Sequence, residues 1–160
     1  MPDLLVNLLK LPPSENTSRE FLVRRAQPFE ISTVRRFVAE RFSQTWADEI
    51  SVGFARQPIS VFVATREREQ TKERELIGFA AYECTRRGFF GPMGVVESAK
   101  NNGVGKALLL AALEALKDMG YVYAIIGAAG PVRFYQKTAG AIVIPDSEPG
   151  IYTDLLHTKQ

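Results

Sequence analysis

The stretch between residues 89 and 119 constrains the fold of this chain more than any other. Residues 89–96 read as a β-strand, and residues 104–119 are rich in Ala and Leu, as an amphipathic helix would be. The loop between them carries Gly103 and Gly105 at the start of the helix. The first amides of a helix have no partner within it, and the macrodipole makes this end positive. The pattern therefore predicts a strand–loop–helix unit that binds a phosphate group.

Two common phosphate-binding loops do not match this sequence. A P-loop needs a glycine five residues before Gly105 and a Ser or Thr after Lys106, but the chain has Lys100 and Ala107 there. A dinucleotide-binding loop needs a third glycine where Leu108 stands. The pattern that remains is basic-x-x-Gly-x-Gly.

A second motif follows the helix and the next predicted strand. Residues 131–140 read Pro-Val-Arg-Phe-Tyr-Gln-Lys-Thr-Ala-Gly. Together with the glycine loop, this segment resembles the GNAT superfamily of acyl-CoA-dependent N-acyltransferases, and the resemblance covers about residues 20–156. Lys100 stands where the family has Gln or Arg, Ala128 where many members have Asn, and Pro131 where many have Ala. The cofactor contact of that Asn is therefore not transferred to Ala128.

Apolar periodicity predicts the remaining elements. Loops too short for crossover helices make the second, third and fourth predicted strands antiparallel, whereas the helix at 104–119 makes the next pair parallel. The predicted fold class is α/β (α+β): a GNAT-like, mixed, mostly antiparallel twisted sheet of about seven strands flanked by about four helices. The resemblance implies that the sheet splays between the fourth and fifth strands. The predicted strands are residues 20–25, 59–65, 76–84, 89–96, 121–126, 141–144 and 151–156, and the predicted helices are residues 29–42, 43–56, 104–119 and 131–140.

Length and composition predict one domain preceded by a leader. A chain of 160 residues with 46% hydrophobic content can build one well-packed core but is short for two. We expect residues 1–19 to form the leader and residues 20–160 a single N-acetyltransferase domain. The leader lies outside the usual family core. It could pack over the sheet, complete an acceptor pocket or mediate a homodimer, and the sequence leaves these alternatives open.

Composition also argues against several classes of function. A net charge of +2 gives no broad electrostatic reason to bind nucleic acid. One Cys and one His cannot supply an internal disulfide or a usual zinc site, so no metal is expected. The chain shows neither a signal peptide nor an apolar stretch long enough to span a membrane. We therefore expect a soluble, cytoplasmic protein.

The resemblance implies acetyl-CoA as cosubstrate. Pro92 and its flanking glycines interrupt the strand at 89–96, because proline donates no ladder hydrogen bond, and this predicts a bulge. In the family this strand is bulged, and the pantetheine arm of coenzyme A adds to its edge like a peptide. On this alignment the cofactor-binding residues are Met93, Val95, Val96, Lys100, Asn101, Asn102, Gly103, Val104, Gly105, Lys106, Phe134 and Lys137.

Acetyl transfer to an amine needs a donor for the oxyanion, a proton for the leaving thiolate and a route for the amine's proton. On the alignment, the backbone amide of Val95 is the oxyanion donor. Tyr135 matches the family's general acid and, with an ordinary pKa of ~10, is protonated at neutral pH. Glu83 is the predicted catalytic base because it continues the apolar strand face of Phe79 and Ala81. Glu97 and a water-mediated route are the alternatives.

The predicted function is an N-acetyltransferase that moves an acetyl group from acetyl-CoA to a primary amine of a small molecule or protein, by direct attack in a ternary complex. The alternative is an acyl-CoA-binding regulatory module without turnover. The acceptor should bind where the first two helices meet the loop at 145–150, whose two carboxylates would favour a cationic amine. Phe42, Trp46 and Phe54 are candidates to line its pocket.

Overall fold

The computed structural model describes residues 1–14 and 20–159, so residues 15–19 of the predicted leader and Gln160 lie outside the described residues. The described part forms one mixed sheet with helices on both faces. Its elements in chain order are β1 (Leu4–Asn7), β2 (Leu22–Arg25), α1 (Ile31–Arg41), α2 (Gln44–Phe54), β3 (Val61–Glu67), β4 (Arg74–Tyr82), β5 (Phe89–Val95), α3 (Val104–Asp118), β6 (Tyr123–Ile126), α4 (Val132–Ala139) and β7 (Ile142–Val143).

The strand order in the sheet is β2-β3-β4-β5-β6-β1-β7. β5 and β6 run parallel because α3 carries the chain back between them, and every other neighbouring pair is antiparallel. The predicted mixed, mostly antiparallel sheet flanked by helices is confirmed. Among the described helices, none is long and apolar enough to cross a membrane.

Alternating side chains of the central strands build two separate cores. Val61 and Val63 of β3 pack with Val38 of α1 and Ile50 of α2 on one face of the sheet. Ala64 of β3 faces the other way, into a core formed with α3. This two-residue alternation is the one that a strand covered on both faces requires. The helices α1 and α2 therefore lie on the opposite face of the sheet from α3.

One predicted strand is wrong. Residues 151–156 alternate like a strand but form none, because the sheet position beside β6 and β7 is filled by β1 from the predicted leader. Leu4 of β1 pairs with Ile126 on one side and Val143 on the other. Leu4 and Val6 are fully buried. The amino-terminal segment is thus an internal strand of the sheet.

Candidate active site

β5 and β6 separate soon after they meet. They pair only at Phe89 with Ile125 and at Phe90 with Ile126. Beyond that point β6 ends, whereas β5 continues along β4 to Val95. The predicted splay between these two strands is confirmed.

The predicted bulge lies where the strands part. Tyr82 of β4 pairs with Phe90, but Ala80, two residues away, pairs with Met93, three residues away. β5 therefore has one extra residue at Gly91-Pro92, and such a bulge turns the strand locally.

The open edge of β5 presents backbone groups to the gap. Val96, just after the strand, donates its amide to the Ile77 carbonyl of β4 at 2.9 Å. Because successive residues of a strand point their backbone groups to opposite edges, the amide and carbonyl groups of Val95 and Met93 point away from β4. An extended, amide-containing ligand can therefore add to this edge as a further strand would.

A cavity of about 1000 Å³ occupies the gap. We call it the cleft. Its walls are mostly apolar, with β5 on one side, the loop after β6 on the other, the start of α3 at one end and α2 across the sheet. The residues that line the cleft include Phe42, Trp46, Glu49, Met93, Val95, Lys100, Asn101, Gly103, Gly105, Lys106, Ala128, Phe134, Tyr135 and Tyr152.

The helix start at α3 is open towards the cleft. Gly103 precedes the helix in the left-handed conformation, with φ 84°, and no side chain caps the helix. The first intrahelical bond runs from the Ala107 amide to the Gly103 carbonyl, so the amides of residues 104–106 have no partner within the helix. These amides, together with Lys100 and Lys106 in the cleft wall, fit a pyrophosphate group.

Gly105 keeps this end of the cleft free. A Cβ atom at Gly105 would lie 3.6 Å from Phe134, 3.8 Å from Val95 and 4.0 Å from Met93, all cleft-lining side chains. These are ordinary van der Waals distances, so a methyl group would fit the protein but would occupy the space of a ligand.

Tyr135 projects into the cleft from α4. Its ring makes edge contacts with Phe134 and Phe90, at centroid distances of 5.2 and 6.0 Å. Burial raises the pKa of Tyr135 to about 12, so the hydroxyl remains protonated well above neutral pH. The hydroxyl makes no hydrogen bond to any other described residue, which leaves its proton available to a ligand in the cleft.

Glu49 brings a carboxylate to the cleft from α2, on the other face of the sheet. Its carboxylate accepts hydrogen bonds from the Thr85 hydroxyl and, at 3.0 Å, from the Tyr152 hydroxyl. Burial of the hydroxyl end and the nearby Glu49 charge raise the pKa of Tyr152 to about 12, so Tyr152 stays a donor although the residue is 40% exposed. Within the described residues, no cation lies within ion-pair distance of Glu49.

β1 holds the cleft wall opposite β5. The buried Asp3 carboxylate accepts the Ala128 amide at 2.7 Å, and the Pro2 carbonyl accepts the Ala129 amide at 2.8 Å. Ala128 has a positive φ of 45°, a conformation that needs outside support in a residue other than glycine. The amino-terminal segment thus fixes the loop after β6.

The structure brings most predicted cofactor residues to the cleft, but the side chains of four do not line it. Val96 points its amide to β4, Asn102 is an exposed loop residue, and the Val104 side chain is buried in the core. Lys137 lines a separate cavity beside the cleft. Of the aromatic candidates for the acceptor pocket, Phe42 and Trp46 line the cleft and Phe54 does not.

The two predicted candidates for a base are not among the cleft-lining residues. Glu83 follows β4 with a positive φ of 59° and is buried, and within the described residues neither of its carboxylate oxygens has a hydrogen-bond partner. The Tyr121 hydroxyl lies near enough for Glu83 to raise the pKa of Tyr121, without hydrogen-bond geometry. Glu97 is exposed and pairs with Lys100 at 2.9 Å. The sequence offered no local signal for Glu49, whose partner Tyr152 is far along the chain.

Comparison with known proteins identifies the family. The sequence model of the acetyltransferase (GNAT) family matches residues 23–141, about three quarters of the chain. The chain therefore belongs to the GNAT acetyltransferase family. No curated protein matches the sequence.

Solved structures show the same fold at low identity. A GCN5-related N-acetyltransferase from Sphaerobacter thermophilus is 19% identical with a TM-score of 0.69, over 89% of this chain and 48% of that one. A glucosamine N-acetyltransferase region of a fungal multidomain β-N-acetylglucosaminidase is 14% identical with a TM-score of 0.68, and the match covers 89% of this chain and 19% of that one. A GNAT acetyltransferase from Brucella melitensis in complex with acetyl-CoA is 16% identical with a TM-score of 0.55, and the match covers 82% of this chain and 93% of that one. The chain spans less than half the length of the first two.

Proposed function

We propose that this chain is an acetyl-CoA-dependent N-acetyltransferase that acylates a primary amine by direct attack in a ternary complex. The observation that carries the proposal is the cleft itself, because one cavity contains an open strand edge, helix amides without a partner in the helix and a protonated tyrosine. It also contains a carboxylate that has no cation within ion-pair distance among the described residues.

The donor half of the cleft fits acetyl-CoA in shape and charge. The β5 edge at Met93 and Val95 would bind the two amides of the pantetheine arm, and the amides of residues 104–106 would hold the pyrophosphate. Gly105 leaves the space that this ligand needs. The acetyl-CoA complex of the Brucella melitensis relative supports the same donor here.

The residues in the cleft could serve each step of the transfer. As the amine nitrogen attacks the thioester carbon, the Val95 amide would stabilise the negative oxygen of the tetrahedral intermediate. When the carbon–sulfur bond breaks, the Tyr135 hydroxyl would give its proton to the departing thiolate. An amine bound as an ammonium would lose one proton before it attacks and a second as the amide forms, and both would leave through water, since neither Glu83 nor Glu97 lines the cleft.

The acceptor half of the cleft fits a cationic amine. Glu49 is the carboxylate among the described cleft-lining residues, and hydroxyl donors on two sides orient it without neutralising its charge. An ammonium group is the natural partner of such a carboxylate. The sequence analysis attributed a preference for cationic amines to the carboxylates of the loop at 145–150, and we now assign that preference to Glu49. The cleft, at about 1000 Å³, is large enough for a small-molecule amine. The homodimer expected from the sequence stays a prediction.

A binding test and a turnover test separate the enzyme from a regulatory module. We expect millimolar acetyl-CoA to raise the melting temperature, because a ligand that binds only the native state stabilises it. A free-thiol assay should then show steady coenzyme A release only when an amine is added. Binding without release in a broad amine panel would favour the regulatory module, and no thermal shift would refute both functions.

Substitution of Glu49 tests the acceptor site. Glu49→Gln should raise KM for cationic amines about tenfold, equivalent to ~1.4 kcal/mol, while acetyl-CoA affinity stays unchanged. Asp48→Asn is the matched control, because Asp48 is exposed on the same helix and is not a cleft-lining residue. Equal effects of the two substitutions would exclude Glu49 from acceptor binding.

A further inference from the structure

A second cavity, of about 600 Å³, lies beside the first turn of α3. It is lined by three lysines from separate segments: Lys10 from the turn after β1, Lys106 from α3 and Lys137 from α4. It shares Lys106 and Phe134 with the cleft, so the two cavities are neighbours around one helix start.

The three lysines around the second cavity differ from Lys100 in their ion pairing. Within the described residues, no carboxylate lies within ion-pair distance of Lys10, Lys106 or Lys137. Lys100, by contrast, pairs with Glu97 at 2.9 Å. Three positive charges around one concave surface, none of them paired with a described carboxylate, create a potential that attracts an anion.

Coenzyme A carries a suitable anion next to its pyrophosphate. Its ribose bears a 3′-phosphate monoester, and such a monoester has a charge of roughly −1.5 to −2 at neutral pH. The proposed pyrophosphate site at the start of α3 adjoins the second cavity, because Lys106 and Phe134 line both cavities.

We propose that the second cavity binds the 3′-phosphate of coenzyme A and that Lys10 makes this chain prefer coenzyme A to 3′-dephospho-coenzyme A. This inference rests on the donor site proposed above. Lys10 lies outside residues 23–141, so the family match does not extend to it. The amino-terminal segment therefore has a role in donor specificity as well as in the sheet.

Titration calorimetry with the two nucleotides tests the proposal. The wild-type chain should bind coenzyme A at least about tenfold more tightly than the dephospho form. Lys10→Gln should weaken coenzyme A binding about threefold to tenfold and leave dephospho-coenzyme A binding unchanged, since an exposed charge pair contributes up to about 1 kcal/mol and a doubly charged phosphate somewhat more.

Lys117→Gln is the matched control. Lys117 is an exposed lysine in the last turn of α3, away from both cavities, and its substitution should change neither affinity. Equal wild-type affinity for the two nucleotides, or equal weakening of both by Lys10→Gln, would overturn the inference while leaving the donor site intact. If neither nucleotide binds the wild-type chain, the proposed function fails as well.

Discussion

We expect the glycine at position 105 to be required for ligand binding but not for stability of the fold. Its φ is ordinary for a helix, and a Cβ atom would meet only cleft side chains at 3.6 Å or more. Gly105→Ala should therefore weaken acetyl-CoA binding at least about tenfold. The melting temperature should stay the same or rise, because alanine favours a helix by up to about 1 kcal/mol over glycine. Calorimetric titration and thermal unfolding measure the two effects.

Gly103 gives the opposite pattern and serves as the comparison. It has φ 84° with no atom within 4 Å of an added Cβ, so Gly103→Ala should cost about 1 to 2 kcal/mol of stability through backbone strain alone. If both substitutions destabilised the protein equally, Gly105 would have a structural role and not the one assigned to it.

Tyr135 can be tested with its ring contacts kept. Tyr135→Phe retains the packing against Phe90 and Phe134 but removes the proton that the proposed mechanism gives to the leaving thiolate. We expect kcat to fall about 10²-fold to 10⁴-fold, the usual contribution of a general acid, with little change in the KM for acetyl-CoA. Steady-state kinetics with an identified amine measures this. An unchanged kcat would remove Tyr135 from the mechanism.

At the scale of elements, β1 determines the stability of one half of the sheet. Without it, β6 and β7 would have no common neighbour, and the loop carrying Ala128 would lose Asp3. Leu4→Ala removes a fully buried side chain from β1 and should destabilise the protein by about 2 to 5 kcal/mol in urea unfolding.

Leu9→Ala is the control for the β1 prediction. Leu9 belongs to the same segment but is 64% exposed, so its loss should change the unfolding free energy by less than about 0.5 kcal/mol. Comparable small effects of both substitutions would mean that β1 does not stay in the sheet in solution.

At the scale of the whole molecule, two buried acids link stability to alkaline pH. Burial raises the pKa of the Cys84 thiol from 9.0 to about 11, and it raises the pKa of Tyr135 from 10.0 to about 12. At a pH between the unfolded and native pKa values of either group, the native state keeps a proton that the unfolded chain has lost. The unfolding free energy should therefore fall as pH rises above about 9, by up to ~1.4 kcal/mol per pH unit for each group.

Cys84→Ala isolates the thiol's part in that dependence. The variant should be less stable at about pH 8.5, because packing is lost, but its stability should fall less steeply towards about pH 10.5. Urea unfolding at several pH values gives both slopes. Identical slopes would show that the thiol does not titrate differently in the two states.

Local signals in the sequence pointed to residues that line the cleft at the proposed donor site, whereas Glu49 depends on contacts between distant parts of the chain. The pattern of Gly103 and Gly105 at a helix start, and the interrupted strand before it, can be recognised within a few residues of sequence. The contact between Glu49 and Tyr152 joins α2 to the carboxyl-terminal segment, so no spacing in the sequence could reveal it. The alternation in the sequence placed Glu83 on the strand face of Phe79 and Ala81, but β4 ends at Tyr82 and Glu83 has a positive φ of 59°.

The misplaced seventh strand has a similar cause. Residues 151–156 have the alternation of a strand, whereas β1 is a short, continuous apolar run that local periodicity cannot assign. Which of two segments fills one place in a sheet is decided by pairing with β6 and β7, and neither partner is near in sequence. The number of strands was therefore predictable, but the identity of one was not.

The place of β1 also sets the order in which the protein can be completed. Leu4 pairs with Ile126 across about 120 residues of sequence, so β1 is synthesised long before its partner β6. During translation, the β2–β5 part of the sheet and its helices can form while the apolar Leu4, Val6 and Leu8 remain exposed to water or to chaperones. This wall of the cleft is consequently completed only after β6 has been made and has paired with β1.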